Sequence, residues 1–158
     1  KNKEGVIAAL VFAALGDQAL LRDQYLENAQ SLNEVLDALI FSYVDWVSEQ
    51  PQFAKFLMLA HFRVMQSEHR DTLNEKNKLR NRKIITSISA YSNVDLLKSV
   101  PSELVMSLVI GATESYCRVW LSKKVMTSPK NYRKILAKAA WDSLQNLADD
   151  LKINQKGE

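Results

Sequence analysis

Apolar side chains recur along nearly the whole chain at the 3.6-residue period of an α-helix, and no stretch alternates like a β-strand. Helix-start signals separate the periodic segments. Ser31 and Glu34 form a capping box, in which the serine oxygen and the glutamate satisfy amides at a helix start. Pro51, Pro101 and Pro129 stand where a first turn tolerates a missing N–H. The pattern predicts an all-α fold.

Six long helices are predicted from these signals. They span about residue 3 into the twenties, then about 32–48, 51–66, 72–92, 102–123 and 129–151. A bend is expected near Gly16, and a short turn or helix at 95–99. A chain of 158 residues buries ~70% of the surface of its unfolded form as one domain. We therefore expect a single domain over residues 1–158, frayed from residue 153 onward.

Composition narrows the class of protein. The formal net charge of +3 is too small to indicate a nucleic-acid-binding face. Cys117 is the single cysteine, which excludes an internal disulfide and fits a reducing compartment. No run reaches the ~18 apolar residues of a membrane span, since the run 6–15 stops at Gly16, and no signal peptide is recognisable. We therefore expect a soluble cytoplasmic protein without membrane contact.

Cationic side chains crowd the segment between Ser67 and Lys83. They are Arg70, Lys76, Lys78, Arg80, Arg82 and Lys83. One interpretation is a nucleic-acid patch. The other is a solvated helix face, which the interleaved Glu68, Asp71 and Glu75 favour. We take the solvated face as the prediction.

The third predicted helix carries the strongest candidate for a binding site. His61 lies in the middle of its wide apolar arc, where an unpartnered histidine would cost ~1–3 kcal/mol. One interpretation is a core histidine bonded to a neighbouring hydroxyl or carbonyl group. The other is a polar group in an apolar small-molecule pocket, lined by aromatic and methionine side chains that each also fit a plain core. The candidate ligand-binding residues are Tyr43, Trp46, Met58, His61, Phe62, Met65, Met106, Ile110 and Cys117.

The helices predicted at 102–123 and 129–151 carry more apolar surface than a single buried stripe requires. Ser107, Gly111 and Ser115 recur every four residues, a spacing that lets another helix approach closely. The pattern predicts self-association through these two helices, unless the polar side of the first simply faces water. The candidate interface residues are Ser107, Leu108, Gly111, Ser115, Arg118, Leu136, Ala139, Ala140, Ser143 and Leu147.

Sequence signals of catalysis are missing. There is no Glu-x-x-His pair of a di-metal bundle, no glycine-rich phosphate loop and no Gly-x-Ser-x-Gly elbow. His61 and His69 lack metal-ligand spacing with Cys117 or with a nearby carboxylate. We therefore expect neither enzyme activity nor a bound cofactor or metal.

A series of motifs resembles the regulatory domain of tetracycline-repressor-type (TetR family) transcriptional regulators over nearly the whole chain. Residues 1–7, with their Lys-x-Lys-Glu, are similar to those that follow the recognition helix in that family. The segment 43–57, with Pro51, resembles its helix–proline–helix segment. Residues 108–121 and 139–144 resemble parts of its two dimerisation helices. The order and spacing of these motifs carry the resemblance.

The resemblance implies a homodimer held by a four-helix bundle from the last two helices of each subunit. It also implies a cavity in each subunit for a small apolar or amphipathic effector. Occupancy would move the connecting helix, which starts near Lys3, and change the separation of two DNA-reading heads that must match major grooves about 34–36 Å apart.

The family's helix-turn-helix is absent from this sequence. The chain is therefore expected to be part of a longer regulator, a repressor that reaches operator DNA through its missing N-terminal domain. The alternative function is a helical protein-interaction module without a small-molecule ligand, and an all-α enzyme is a more distant one.

Overall fold

The computed structural model describes residues 2–91 and 100–156. Its elements are α1 (Lys3–Leu26), α2 (Leu32–Glu49), α3 (Pro51–Met65), α4 (Arg70–Ser89), α5 (Ser102–Leu121), the 3-10 helix η1 (Pro129–Tyr132) and α6 (Arg133–Lys156). No strand occurs in these two ranges, so the predicted all-α class with about six helices is confirmed. The turn or helix predicted at 95–99 lies outside the described residues.

Local sequence signals explain where the helices begin. The Asn2 side chain accepts a hydrogen bond from the Gly5 amide at 2.8 Å and so caps α1. The Ser31 hydroxyl accepts from the Glu34 amide at 3.2 Å, while the Glu34 carboxylate accepts from the Gln30 amide at 2.7 Å. The capping box therefore forms, with its glutamate reaching the residue before the cap.

Helix α1 is one 24-residue element that includes Gly16, and the bend expected there stays a prediction. The last part of the chain differs from the sequence-based expectation in two details. The last predicted helix starts with the separate 3-10 turn η1, in which Pro129 stands in the first turn and the Ser128 hydroxyl accepts from the Lys130 amide at 3.3 Å. Helix α6 then extends to Lys156, beyond the point where fraying was expected.

Helix α2 lies at the centre of the packing. It contacts each of the other five helices and η1, while α5 and α6 pack against each other and α1 packs against α3. The main hydrophobic cluster joins α2 to α5 and α6 through side chains such as Leu36, Ile40, Val105 and Leu144. A smaller cluster joins α1, α3 and α4 through Ala8, Val11, Leu15, Ala60, Val64 and Leu73. The fold thus has two cores that meet along α1 and α3.

A buried carboxylate on α2 bonds to the last turn of α1 and to the first residue of α6. Asp45 is 6% exposed. Its carboxylate accepts a hydrogen bond from the Tyr25 hydroxyl at 2.6 Å and forms an ion pair with Arg133 at 3.1 Å. The hydrogen bond to Asp45 is the main reason that the pKa of Tyr25 rises to about 12, with burial adding to it. Arg133 also lies over the Phe41 ring, 4.7 Å from its centroid. These contacts link α1, α2 and the start of α6.

Two helices of the described part are long and apolar enough to cross a membrane by length and composition alone. They are α1, with a mean hydropathy of 1.6, and α5, with 1.2. The sequence-based expectation missed α1 because it ended the first apolar run at Gly16, which lies inside this helix. In the fold, α1 packs against α2 and α3, and α5 packs against α2 and α6. Core helices of soluble proteins meet the same criterion.

Replacing Asp45 by asparagine should lower the free energy of unfolding by about 1–3 kcal/mol, because it removes the charge that Arg133 and the Tyr25 hydroxyl share. Urea denaturation measures the change. The matched control is Asp142→Asn, which removes an exposed carboxylate paired with Lys138 outside this network and should change stability by less than about 0.5 kcal/mol. Equal losses in the two variants would contradict the structural role of Asp45.

Candidate functional site

A cavity of about 960 Å³ opens where the two hydrophobic cores meet. Leu15 of the smaller core lines it, together with Trp46, Ala54 and Cys117 of the main core. Cavities that hold drug-sized ligands have volumes of roughly 300–1,000 Å³. The space between α1, α2, α3, α4 and α5 is therefore large enough for a small organic molecule.

One wall of the cavity is apolar and rests on α1. Leu15, Trp46, Ala54, Leu57 and Met58 supply this wall. The Trp46 indole N–H donates to the Asp17 carboxylate at 2.8 Å, so its polar atom is satisfied although the side chain is 3% exposed. Trp46 therefore touches the cavity and is bonded to α1.

The opposite wall is polar and comes largely from α4. Asn74, Asn77, Lys78, Arg80, Asn81 and Arg82 line the cavity, with Glu114 and Arg118 of α5. The prediction of a solvated helix face agrees with Lys78 and Arg82, which are exposed at the cavity mouth, and differs from the structure at Arg80, which is half-buried. Leu73, Ile84 and Ile88 are buried, and their helical spacing places Asn77 and Arg80 on the same inward face. That spacing was the sequence signal that could have identified Arg80.

The structure brings most of the predicted ligand-binding residues together. Tyr43, Trp46, Met58, His61 and Cys117 line the main cavity. Met106 and Ile110 line a second cavity of about 30 Å³, which shares Tyr43, Arg80 and Glu114 with the first.

Phe62 and Met65 do not line either cavity, and this part of the predicted site is corrected. Phe62 is 67% exposed because it lies about 100° around α3 from His61. Met65 packs instead against the smaller core with Val64.

Electrostatics in the cavity are set by burial and by Arg80. The pKa of His61 is lowered, first by burial and then by the positive charge of Arg80. Burial raises the pKa of the Cys117 thiol to about 12, and the Glu114 charge adds to this. At neutral pH the cavity therefore presents a neutral imidazole and a neutral thiol beside a cationic guanidinium.

The residues predicted for self-association fall into three groups. Ser107, Ser115 and Arg118 are exposed, although Arg118 also lines the cavity. Leu108, Gly111, Leu136, Ala139, Ser143 and Leu147 are half-buried. Ala140 is 2% exposed and packs inside the main core, so its assignment to an interface is corrected. Leu104 and Ile135, which the sequence reasoning did not single out, are large exposed side chains on the same two helices.

No group of three or more histidine, cysteine, aspartate or glutamate side chains in residues 2–91 and 100–156 could hold a metal ion. No protein-family model matches the chain, and no curated protein matches it.

The pKa of His61 should lie below its ordinary value of 6.5, because the folded chain disfavours the charged imidazole. As pH falls, the unfolded chain then takes up the proton first, so the free energy of unfolding decreases from about pH 6.5 down to the folded pKa. NMR titration of the histidine ring protons measures this pKa. The spectrum of His69→Gln identifies the signals of His61, the other histidine of the chain. His61→Gln should lose this part of the pH dependence of stability. A His61 pKa at or above 6.5 would refute the described surroundings.

Proposed function

We propose that this chain is the effector-binding and dimerisation domain of a TetR-type transcriptional regulator, a cytoplasmic repressor whose DNA-reading heads lie outside this sequence. The resemblance of the motifs and the six-helix all-α fold support the proposal. The observation that carries it is the cavity of about 960 Å³ bounded by α1 and the helices packed around it. A cavity in that position allows a small molecule to act on α1 directly.

Contact between the cavity and α1 supplies the coupling. Leu15 lines the cavity from α1, and Trp46 lines it from α2 while donating to Asp17 of α1 at 2.8 Å. A ligand that displaces Trp46 must move Asp17 or break this hydrogen bond. Such a ligand would bind the protein with different affinity before and after α1 moves, which is the condition for shifting a conformational equilibrium.

The continuity of α1 would carry this movement to its first residue. Helix α1 is unbroken from Lys3 to Leu26, and the rise of 1.5 Å per residue places Leu15 about 18 Å from Lys3. At this end, α1 is joined to α3 by the exposed ion pair between Glu4 and Arg63 at 2.8 Å. Exposed ion pairs contribute little stability, so this contact does not lock the start of α1 in place. Beyond this pair, Ala8 and Val11 pack against α3 in the smaller core, so a movement of α1 in response to the cavity would shift these contacts as well.

The face proposed for dimerisation lies on α5 and α6. Ser107, Gly111 and Ser115 follow one line along α5, and a Cβ added at Gly111 meets no atom within 4 Å. The exposed Leu104 and Ile135 add apolar surface on these helices. Small residues let a second pair of helices approach, and the apolar side chains supply area to bury. This face supports a symmetric four-helix contact between two copies of the chain.

Substitution of Gly111 by arginine should convert the dimer to a monomer without unfolding it. In the single chain there is open space around Gly111 for the arginine side chain. In the proposed dimer a closely packed partner helix would occupy that space. The matched control is Gly16→Arg, since Gly16 also lies inside a helix with no atom within 4 Å of an added Cβ. Both changes should raise intrinsic helix stability by about 0.5–1 kcal/mol, so a loss of folding is not expected in either.

Sedimentation velocity at micromolar concentration distinguishes the outcomes. Wild type and Gly16→Arg should sediment as dimers and Gly111→Arg as a monomer. A wild-type monomer would remove dimerisation from the proposal and favour the alternative, a module that binds other proteins. That alternative has its own support in Leu59 and Phe62, two exposed apolar side chains nearly one turn apart on α3.

A further inference from the structure

Charge in the main cavity is unbalanced. Four cationic side chains line it, namely Lys78, Arg80, Arg82 and Arg118, against two carboxylates, Glu103 and Glu114. Lys78, Arg82, Glu103 and Arg118 are exposed, so solvent screens them. Arg80 and Glu114 are half-buried and line both cavities. The interior charge of the cavity is therefore decided by Arg80 and the groups around it.

Arg80 lacks a partner in the part of the chain that the structure describes. Its Nε is inaccessible to solvent and makes no hydrogen bond. No ion pair joins Arg80 to Glu114, although the Glu114 charge stabilises the guanidinium from a distance. Burial lowers the pKa of Arg80, because the charged guanidinium loses contact with water. A half-buried guanidinium whose Nε is buried and unused is a site where an anion would gain strong, charge-assisted hydrogen bonds.

A second guanidinium lies beside the first. Arg22 is 2% exposed and lines the small cavity of about 30 Å³ with Arg80. Its Nε and Nη2 donate to the Asp23 carboxylate at 3.0 and 2.7 Å, but its buried Nη1 has no hydrogen-bond partner. The small cavity has room for about one water molecule or for the oxygens of an acidic group.

The two walls of the main cavity fit the two ends of one molecule. The apolar wall of Leu15, Trp46 and Leu57 would hold a hydrocarbon or aromatic body, and the guanidinium groups lie at the junction with the small cavity. We propose that the cavity binds an amphipathic organic acid, with its carboxylate or equivalent anionic group at Arg80 near Arg22 and its apolar body against Leu15, Trp46 and Leu57. This assignment rests on the proposed ligand-sensing function and names the chemical class of the effector.

Matched acids and amides test the assignment, with decanoate against decanamide and 4-phenylbutyrate against its amide as probes. Binding is measured on the full chain by isothermal titration calorimetry and by intrinsic tryptophan fluorescence, to which Trp46 of the cavity contributes. The acid of each pair should bind at least about tenfold more tightly than the amide, since the amide supplies no charge to Arg80. In Arg80→Gln the affinities of acid and amide should differ by no more than about threefold. The control is Arg70→Gln, since Arg70 is an exposed residue of α4 outside the cavity, and this variant should bind the acid as selectively as the wild type does.

Two further measurements keep the test independent of the folding of Arg80→Gln. Arg80→Lys retains the charge and should retain part of the preference, and wild-type protein alone compares acid with amide.

Two negative outcomes separate the two proposals. Equal affinity of acid and amide in wild-type protein would overturn the anionic class and leave ligand sensing standing. No binding of either pair at millimolar concentration would overturn ligand sensing itself, and this assignment with it.

Discussion

Helix α2 is buried on nearly every side, so each of its polar groups must find a partner inside the protein. Asp45 is held by Tyr25 and Arg133, and the Trp46 indole by Asp17. The Ser42 hydroxyl donates to the Leu39 carbonyl within the helix. An unpaired polar group in such surroundings would cost roughly 1–3 kcal/mol. These pairs fix how α1 and α6 dock onto α2, and they place Trp46 between α1 and the cavity.

The cavity exists because α4 does not fill the space that the other helices enclose. Its inward face carries Leu73, Ile84 and Ile88 at its two ends, where they complete the two cores. Between them stand Asn77 and Arg80, which line a void instead of packing into it. A helix with polar residues in the middle of its buried face separates two cores and leaves a chamber between them. The same arrangement leaves the Arg80 charge inside that chamber.

The helices could be predicted from the sequence because their caps act locally. Ser31 with Glu34 and Ser128 with Pro129 fix helix starts without help from distant residues. The grouping of Tyr43, Trp46, His61 and Cys117 around one space could be anticipated from their apolar arcs.

Which side chains a neighbouring helix covers could not be predicted from the sequence, because it depends on how the helices pack. His61 and Phe62 lie on one apolar arc, yet the first lines the cavity and the second faces solvent. Ala140 similarly turned inward to the core, because α2 packs against α6. Arg80 was missed because a charged residue in a cationic segment is usually solvated, and only its spacing from Leu73 and Ile84 indicates otherwise.

Movement of α1 in response to the cavity is the central claim of this account. It is tested most directly by a distance between the two α1 helices of a dimer, measured by pulsed electron paramagnetic resonance. Val6 is an exposed α1 residue, and a spin label on Val6→Cys in a Cys117→Ser background marks one point per chain. An acid that binds the cavity should shift the label-to-label distance by a few ångströms. An unchanged distance at saturating ligand would contradict the claim.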